Sequence, residues 1–194
     1  MNLPKIYPIT SDAHSLKDLQ TLVRKLTLSK NTIFQYRRKN LCESEVKREL
    51  ASLEMITSNK DISFVINSYH GKDLGNKYSG FHLTGEDLKK TTMREIDKTK
   101  FFGISCHSEE DILKAESIEA DYIFLSPVKE TLSKKKLQPL GWEKFSELSK
   151  KTQIPTYALG GLSEEDLSEA EKYGGYGVAA VSYTHLTLPT IYSV

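Results

Sequence analysis

Eight short β-type runs alternate with longer, helix-patterned stretches along nearly the whole chain. The runs are residues 6–10, 33–37, 63–67, 80–84, 101–105, 122–126, 156–160 and 177–182. Each is rich in Ile, Val, Phe or Tyr and ends in a small or polar residue. Between them, Leu16, Leu19, Leu22, Val23 and Leu26 fall on one face at helical spacing, as do Val46, Leu50, Leu53 and the pair Met55 and Ile56. Ser108 and Ser163 each precede three acidic residues, the arrangement of a Ser N-cap followed by carboxylates that the helix dipole favours. The connections at 71–78 and 86–99 are shorter or less regular. Strands that alternate with helices pair in parallel. Eight of them close into a (β/α)8 TIM barrel, with the chemistry on the loops that follow the strands. A doubly wound open sheet is the competing α/β class, but its first turn is usually Gly-rich, and Thr10-Ser11-Asp12-Ala13-His14 has no glycine. A compact barrel with short loops is the expectation.

The end of the chain breaks this pattern. After Lys172 no Lys, Arg, Asp or Glu occurs, and Tyr183-Thr184-His185-Leu186-Thr187-Leu188-Pro189 has strand-like alternation where the barrel calls for a final helix. The domain reading is a barrel over 1–182, its last helix missing or replaced by an atypical tail at 183–194 that is not native.

Composition limits the partners. With 27 basic against 26 acidic side chains, the net charge is +1, so nothing draws the chain to nucleic acid or an anionic membrane, and an anion site must be built locally. No apolar run nears the roughly 18 residues of a membrane span, and the first residues lack a secretory pattern. Cys42 and Cys106 lie too far apart for a Cys-x-x-Cys unit. The expectation is a cytoplasmic protein.

The candidate residues sit where the strand runs end. Gln35, Arg37 and Lys39 share one face by the two-residue period. Cations facing inward are costly unless an anion meets them; the plain alternative is that Arg38 and Lys39 have left the strand and are solvated. The third run ends in Asn67-Ser68. After the fourth comes Asp87, an oxygen ligand of the kind Mg²⁺ prefers but a weak site without substrate phosphates, and equally readable as a helix cap. His107, after the fifth, is a candidate acid/base or orienting donor with no acidic partner fixed by spacing; Cys106 reads as packing. Thr131, Ser133 and Lys134 combine two hydroxyls with a point charge and suit a phosphate, unless Lys135 and Lys136 mark a solvated basic loop. Gly160 and Gly161 let the backbone approach a ligand and turn its N–H groups inward, where such barrels often hold phosphate.

In this order, Gln35-x-Arg37-x-Lys39, Asn67, Gly80-Phe81-His82-Leu83-Thr84, Gly103-Ile104-Ser105-Cys106-His107-Ser108, Ser126-Pro127, Thr131-x-Ser133-Lys134, Leu140-Gly141-Trp142, Ala158-Leu159-Gly160-Gly161-Leu162 and Gly177-Val178-Ala179-Ala180-Val181-Ser182 resemble the thiamine-phosphate synthase/thiazole tautomerase superfamily. The similarity is greatest to the branch fused behind Nudix hydrolases, so a Nudix domain is a candidate separate or lost partner. The resemblance implies a thiamine-biosynthesis transferase that joins a hydroxymethylpyrimidine diphosphate to a thiazole phosphate. It places Arg37, Lys39 and Lys134 on the pyrophosphate, Gln35 and Asn67 on the pyrimidine, Asp87 on Mg²⁺, and Ser105 on the pyrimidine or pyrophosphate. Thr131, Ser133, the backbone at Gly160 and Gly161, and Val181 and Ser182 would hold the thiazole phosphate.

Three departures stand out against that family pattern. Ser68 occupies the position of a synthase Asp, which weakens the Mg²⁺ site; Glu130 precedes Thr131 in the hydroxyl-lysine loop; and Pro127 replaces the His of the tautomerases. Three readings therefore stay open: a working synthase, a non-catalytic or regulatory binder of thiamine-related phosphates, and a tautomerase-like enzyme that uses His107. Self-association into a homo-oligomer is also left open.

Overall fold

The computed structural model describes residues 2–28, 32–131 and 138–181. In chain order the elements are β1 (Ile6–Pro8), α1 (Leu16–Leu26), β2 (Thr32–Tyr36), α2 (Glu43–Thr57), β3 (Ile62–Asn67), α3 (Lys72–Lys77), β4 (Gly80–Leu83), α4 (Gly85–Lys90), β5 (Phe101–Cys106), α5 (Glu109–Ser117), β6 (Tyr122–Leu125), α6 (Gly141–Ser149), β7 (Thr156–Leu159), α7 (Leu167–Lys172) and β8 (Gly177–Ala180). All eight runs expected from the sequence are strands. They form one parallel sheet in the order β1-β8-β7-β6-β5-β4-β3-β2. Residues 182–194, which hold Ser182 and the atypical tail, lie outside the described residues.

The alternation of side chains along each strand builds two layers. Phe34, Phe64, Ile66, Phe81, Phe102, Ile104, Cys106, Ile123 and Val178 face outward and pack beneath the helices. Tyr7, Ile9, Ile33, Val65, Tyr122, Phe124, Tyr157 and Ala179 face inward and fill the ring. The side-chain layering of a packed barrel is thus met by aromatic rings, with Tyr7 edge-on to Phe124 at 5.0 Å and to Tyr157 at 5.4 Å.

Closure of the ring is uneven. β1 ends at Pro8, short of the expected run, and on the side of β2 Pro8 has no N–H to give. Beyond it, the Ile9 N–H donates to Ala180 O at 2.9 Å, and the Thr10 N–H to Gln35 O at 3.0 Å. The seam between β1 and β2 is then finished by a side chain: the Thr10 hydroxyl accepts from the Arg37 N–H at 2.8 Å and contacts the Arg37 carbonyl at 3.2 Å.

The helices start as their sequences dictate. Ser15 and Asp18 exchange hydrogen bonds in a capping box at α1, and Ser108 accepts from the Asp111 N–H at α5. Residues 71–78 and 86–99, read as less regular, hold only the six-residue helices α3 and α4.

Candidate active site

Parallel strands end together, so β2 to β8 bring their candidate residues to one mouth. Inside it, the fully enclosed amides of Gln35 and Asn67 are linked. The Tyr69 N–H donates to Asn67 Oδ1 at 3.2 Å, which fixes the orientation of the Asn67 amide. Asn67 Nδ2 therefore donates to Gln35 Oε1 at 2.9 Å, and Gln35 Nε2 becomes a buried donor with no acceptor among the described residues. Such a group costs desolvation unless a ligand supplies the acceptor.

Two residues past Gln35, the Arg37 side chain is about one-quarter exposed and, among the described residues, is ion-paired only to Asp12, at 3.8 Å. The Lys39 ammonium lies 5.5 Å over the Tyr69 ring. Burial, then the nearby Arg37 charge, pulls the Lys39 pKa below the usual lysine range. Two partly desolvated cations that repel one another are stabilised by a polyanion. The alternative of a solvated Arg38 is overturned: its guanidinium is buried, donates to both Glu49 oxygens at 3.2 and 3.0 Å and to the Ser11 carbonyl, while its N–H donates to His70 Nε2 at 3.0 Å. Arg38 thereby ties the β2 end to α2, the β1–α1 loop and the turn after β3.

Asp87 is not itself the cap of α4. Thr84 is, accepting from the Asp87 N–H at 3.2 Å, and Asp87 sits one turn in. Asp87 Oδ2 accepts from both the Thr84 and the Ser68 hydroxyls. Burial would raise its pKa, but these hydroxyls, with Lys90 and Lys39, bring it below the usual carboxylate value. Among the described residues no cluster of three or more His, Cys, Asp or Glu surrounds it. One carboxylate suits a Mg²⁺ ion that keeps its waters and takes its other ligands from a diphosphate, and does not suit an ion held by protein alone.

Ser105, at the C-terminal end of β5, faces inward and hydrogen-bonds His82 Nε2 at 2.9 Å. His107 sits beyond it, with Nδ1 2.6 Å from the Ser126 carbonyl. A carbonyl only accepts, so Nδ1 carries hydrogen and the ring links the ends of β5 and β6. Gly160 and Gly161 adopt φ of 103° and 67°. A Cβ on Gly160 would lie 2.8 Å from Pro127 Cα, and one on Gly161 2.4 Å from the Glu130 carbonyl. The two glycines are therefore required by the loop after β6, whose Val128 and Lys129 N–H groups donate to Leu159 O and Gly160 O. Val181 follows β8 at the same mouth, and Thr131 begins the hydroxyl-lysine loop. Ser133, Lys134 and Ser182 lie outside the described residues.

Sequence reasoning missed a second polar group inside the ring. His82, Tyr122 and Tyr7 are wholly enclosed and hydrogen-bonded to one another. The signal was a lone imidazole on the inward face of β4, two residues from Gly80.

Comparison with known proteins agrees with this arrangement. The thiamine monophosphate synthase (TMP-TENI) family matches residues 6–183. The chain is 30% identical to a protein named putative thiamine-phosphate synthase 2 from Aquifex aeolicus, over 94% of this chain and 98% of that one. It is 32% identical to the thiamine-phosphate synthase of Prochlorococcus marinus subsp. pastoris, over 91% of this chain but half of that longer protein. Among solved structures, thiamine phosphate pyrophosphorylase from Pyrococcus furiosus superposes with a TM-score of 0.74 at 28% identity, covering 92% of this chain and 85% of that one. The eight-stranded ring, the motifs at its mouth and these matches together make the chain a member of the thiamine monophosphate synthase family.

Proposed function

We propose that this protein is a thiamine-phosphate synthase, joining hydroxymethylpyrimidine diphosphate to thiazole phosphate with release of pyrophosphate. The carrying observation is the Gln35 Nε2 donor, buried without an acceptor among the described residues, two residues before the Arg37 cation and four before that of Lys39. That pairing suits a ligand with a heteroaromatic acceptor at one end and a polyanion at the other. The bond from the pyrimidine methylene to the diphosphate oxygen breaks, the electron pair leaves with pyrophosphate, and the thiazole nitrogen lone pair forms the new C–N bond.

Arg37 and Lys39 stabilise the charge that grows on the leaving group, the usual dominant contribution in such chemistry. Gln35 and Asn67 orient the pyrimidine, and Ser105 touches the pyrimidine end or the departing pyrophosphate. Lys134 adds a further cation, and Thr131 and Ser133 hold the thiazole phosphate with the backbone at Gly160, Gly161, Val181 and Ser182. Asp87 would hold a Mg²⁺ ion arriving with the diphosphate, and such an ion would supply further charge neutralisation to the leaving group.

The test is to mix both substrates with Mg²⁺ and measure pyrophosphate and thiamine phosphate. Equal amounts of the two products, and none when either substrate is omitted, are expected. Thermal stabilisation by thiazole phosphate with no turnover would overturn the synthase reading in favour of a binding protein.

A further inference from the structure

A file of hydrogen bonds runs from the floor of the strand ring to its mouth. Tyr7 Oη lies 2.8 Å from Tyr122 Oη, Tyr122 Oη 3.2 Å from His82 Nδ1, and His82 Nε2 2.9 Å from Ser105 Oγ. Tyr7, Tyr122 and His82 are fully buried; Ser105 alone reaches toward the opening. Gly103 makes the middle link attainable, because a Cβ there would lie 2.1 Å from Tyr122 Cζ and 2.3 Å from its oxygen.

The file can be wired in two directions. With the His82 proton on Nδ1, Ser105 must give its proton to Nε2, the imidazole gives to Tyr122, Tyr122 gives to Tyr7, and the Tyr7 O–H is left at the floor. No other acceptor for it exists among the described residues, so this arrangement buries an unpaired donor. With the proton on Nε2, Tyr7 gives to Tyr122, Tyr122 gives to Nδ1 and Nε2 gives to Ser105 Oγ. Every buried proton is then used, and the Ser105 O–H is released toward the mouth. Burial holds the His82 pKa down at about 3, so the ring carries one proton and must take one of these two forms.

We infer that the buried Tyr122–His82 pair sets the polarity of Ser105, so that its O–H is kept free to donate a hydrogen bond to the ligand. Tyr122 and His82 are positioning residues, acting through Ser105. On the synthase reading, which this inference extends, the acceptor is an oxygen of the leaving diphosphate or a ring nitrogen of the pyrimidine.

The test has two arms, both on the full chain. Imidazole ¹⁵N spectra should show His82 as a neutral ring, protonated on Nε2 and pyridine-like at Nδ1; protonation on Nδ1 overturns the inference whether or not the protein turns over. Tyr7→Phe should keep that signature, because Tyr122 still donates, whereas Tyr122→Phe should give a mixture of the two forms. In the kinetic arm, Tyr122→Phe should lower kcat about 5-fold with little change in KM, the size of one hydrogen bond, and should add nothing in a Ser105→Ala background. An equal loss in that background would make Tyr122 a merely structural residue and overturn its role. Absence of turnover in every variant would defeat the synthase reading alone and leave the spectral arm to decide.

Discussion

The Ser68 hydroxyl donates to Asp87 Oδ2, the same oxygen that accepts from Thr84. A hydroxyl thus stands beside the carboxylate proposed to hold a metal, and it neutralises no charge. Ser68→Asp should lower the Mg²⁺ concentration for half-maximal activity by about 10-fold, because two carboxylates and a diphosphate make a better hard-oxygen site. Without Mg²⁺ the paired charges should destabilise the variant, and the ion should raise its melting temperature more than it raises the parent's. An unchanged Mg²⁺ dependence would remove Asp87 from the metal site.

Arg37 meets its acidic neighbour, Asp12, only loosely, at 3.8 Å. Arg37→Ala should cut kcat/KM by about 10²-fold or more, as expected for a charged donor facing a leaving group. Asp12→Asn should tighten pyrophosphate binding in a calorimetric titration, because it removes a competing anion. Weaker binding would make Asp12 part of the grip itself.

The Arg38–Glu49 pair is buried, with side-chain exposures of 5% and 6%. Removing one partner strands the other charge away from water, so Arg38→Ala should cost about 3–5 kcal/mol in urea unfolding. Tyr36, which donates to Glu49 Oε2 at 2.9 Å, is a milder case: Tyr36→Phe should cost about 1 kcal/mol. A loss under about 1 kcal/mol for Arg38→Ala would show that water reaches the pair.

Burial pushes His70 down to about 4 and His82 to about 3. Unfolded histidine takes up its proton near pH 6.5, so between pH 6.5 and 4 the unfolded chain binds protons that the folded one refuses. Stability should therefore fall as pH is lowered through that window. His70→Gln should flatten part of the slope measured by thermal melts at successive pH values. An unaltered slope would assign the loss to other groups.

Strand positions were legible because periodicity and β-branched or aromatic runs are local signals. So was the grouping of Arg37, Lys39 and Asp87, since parallel strands put consecutive C-terminal ends on one side. The buried polar residues were not. Arg38 reads as a solvated cation until Glu49, 11 residues on, turns toward it from α2. His82 and Tyr122 are 40 residues apart, and only the ring brings them together. Nor is it legible that residues 127–130 fill the space a side chain would take at Gly160 and Gly161. Contacts across the barrel interior have no period in the sequence.

The β1–β2 seam is closed by an isolated bridge at Ile9 and Gln35 and, beyond it, by a threonine hydroxyl. That hydroxyl grips the peptide of Arg37, so the stitch in the cylinder and the cation proposed to meet the polyanion belong to one residue. On the proposed function, a phosphorylated molecule seated on Arg37 would draw the seam tight, and a Thr10 lacking its oxygen would slacken hoop and handle together.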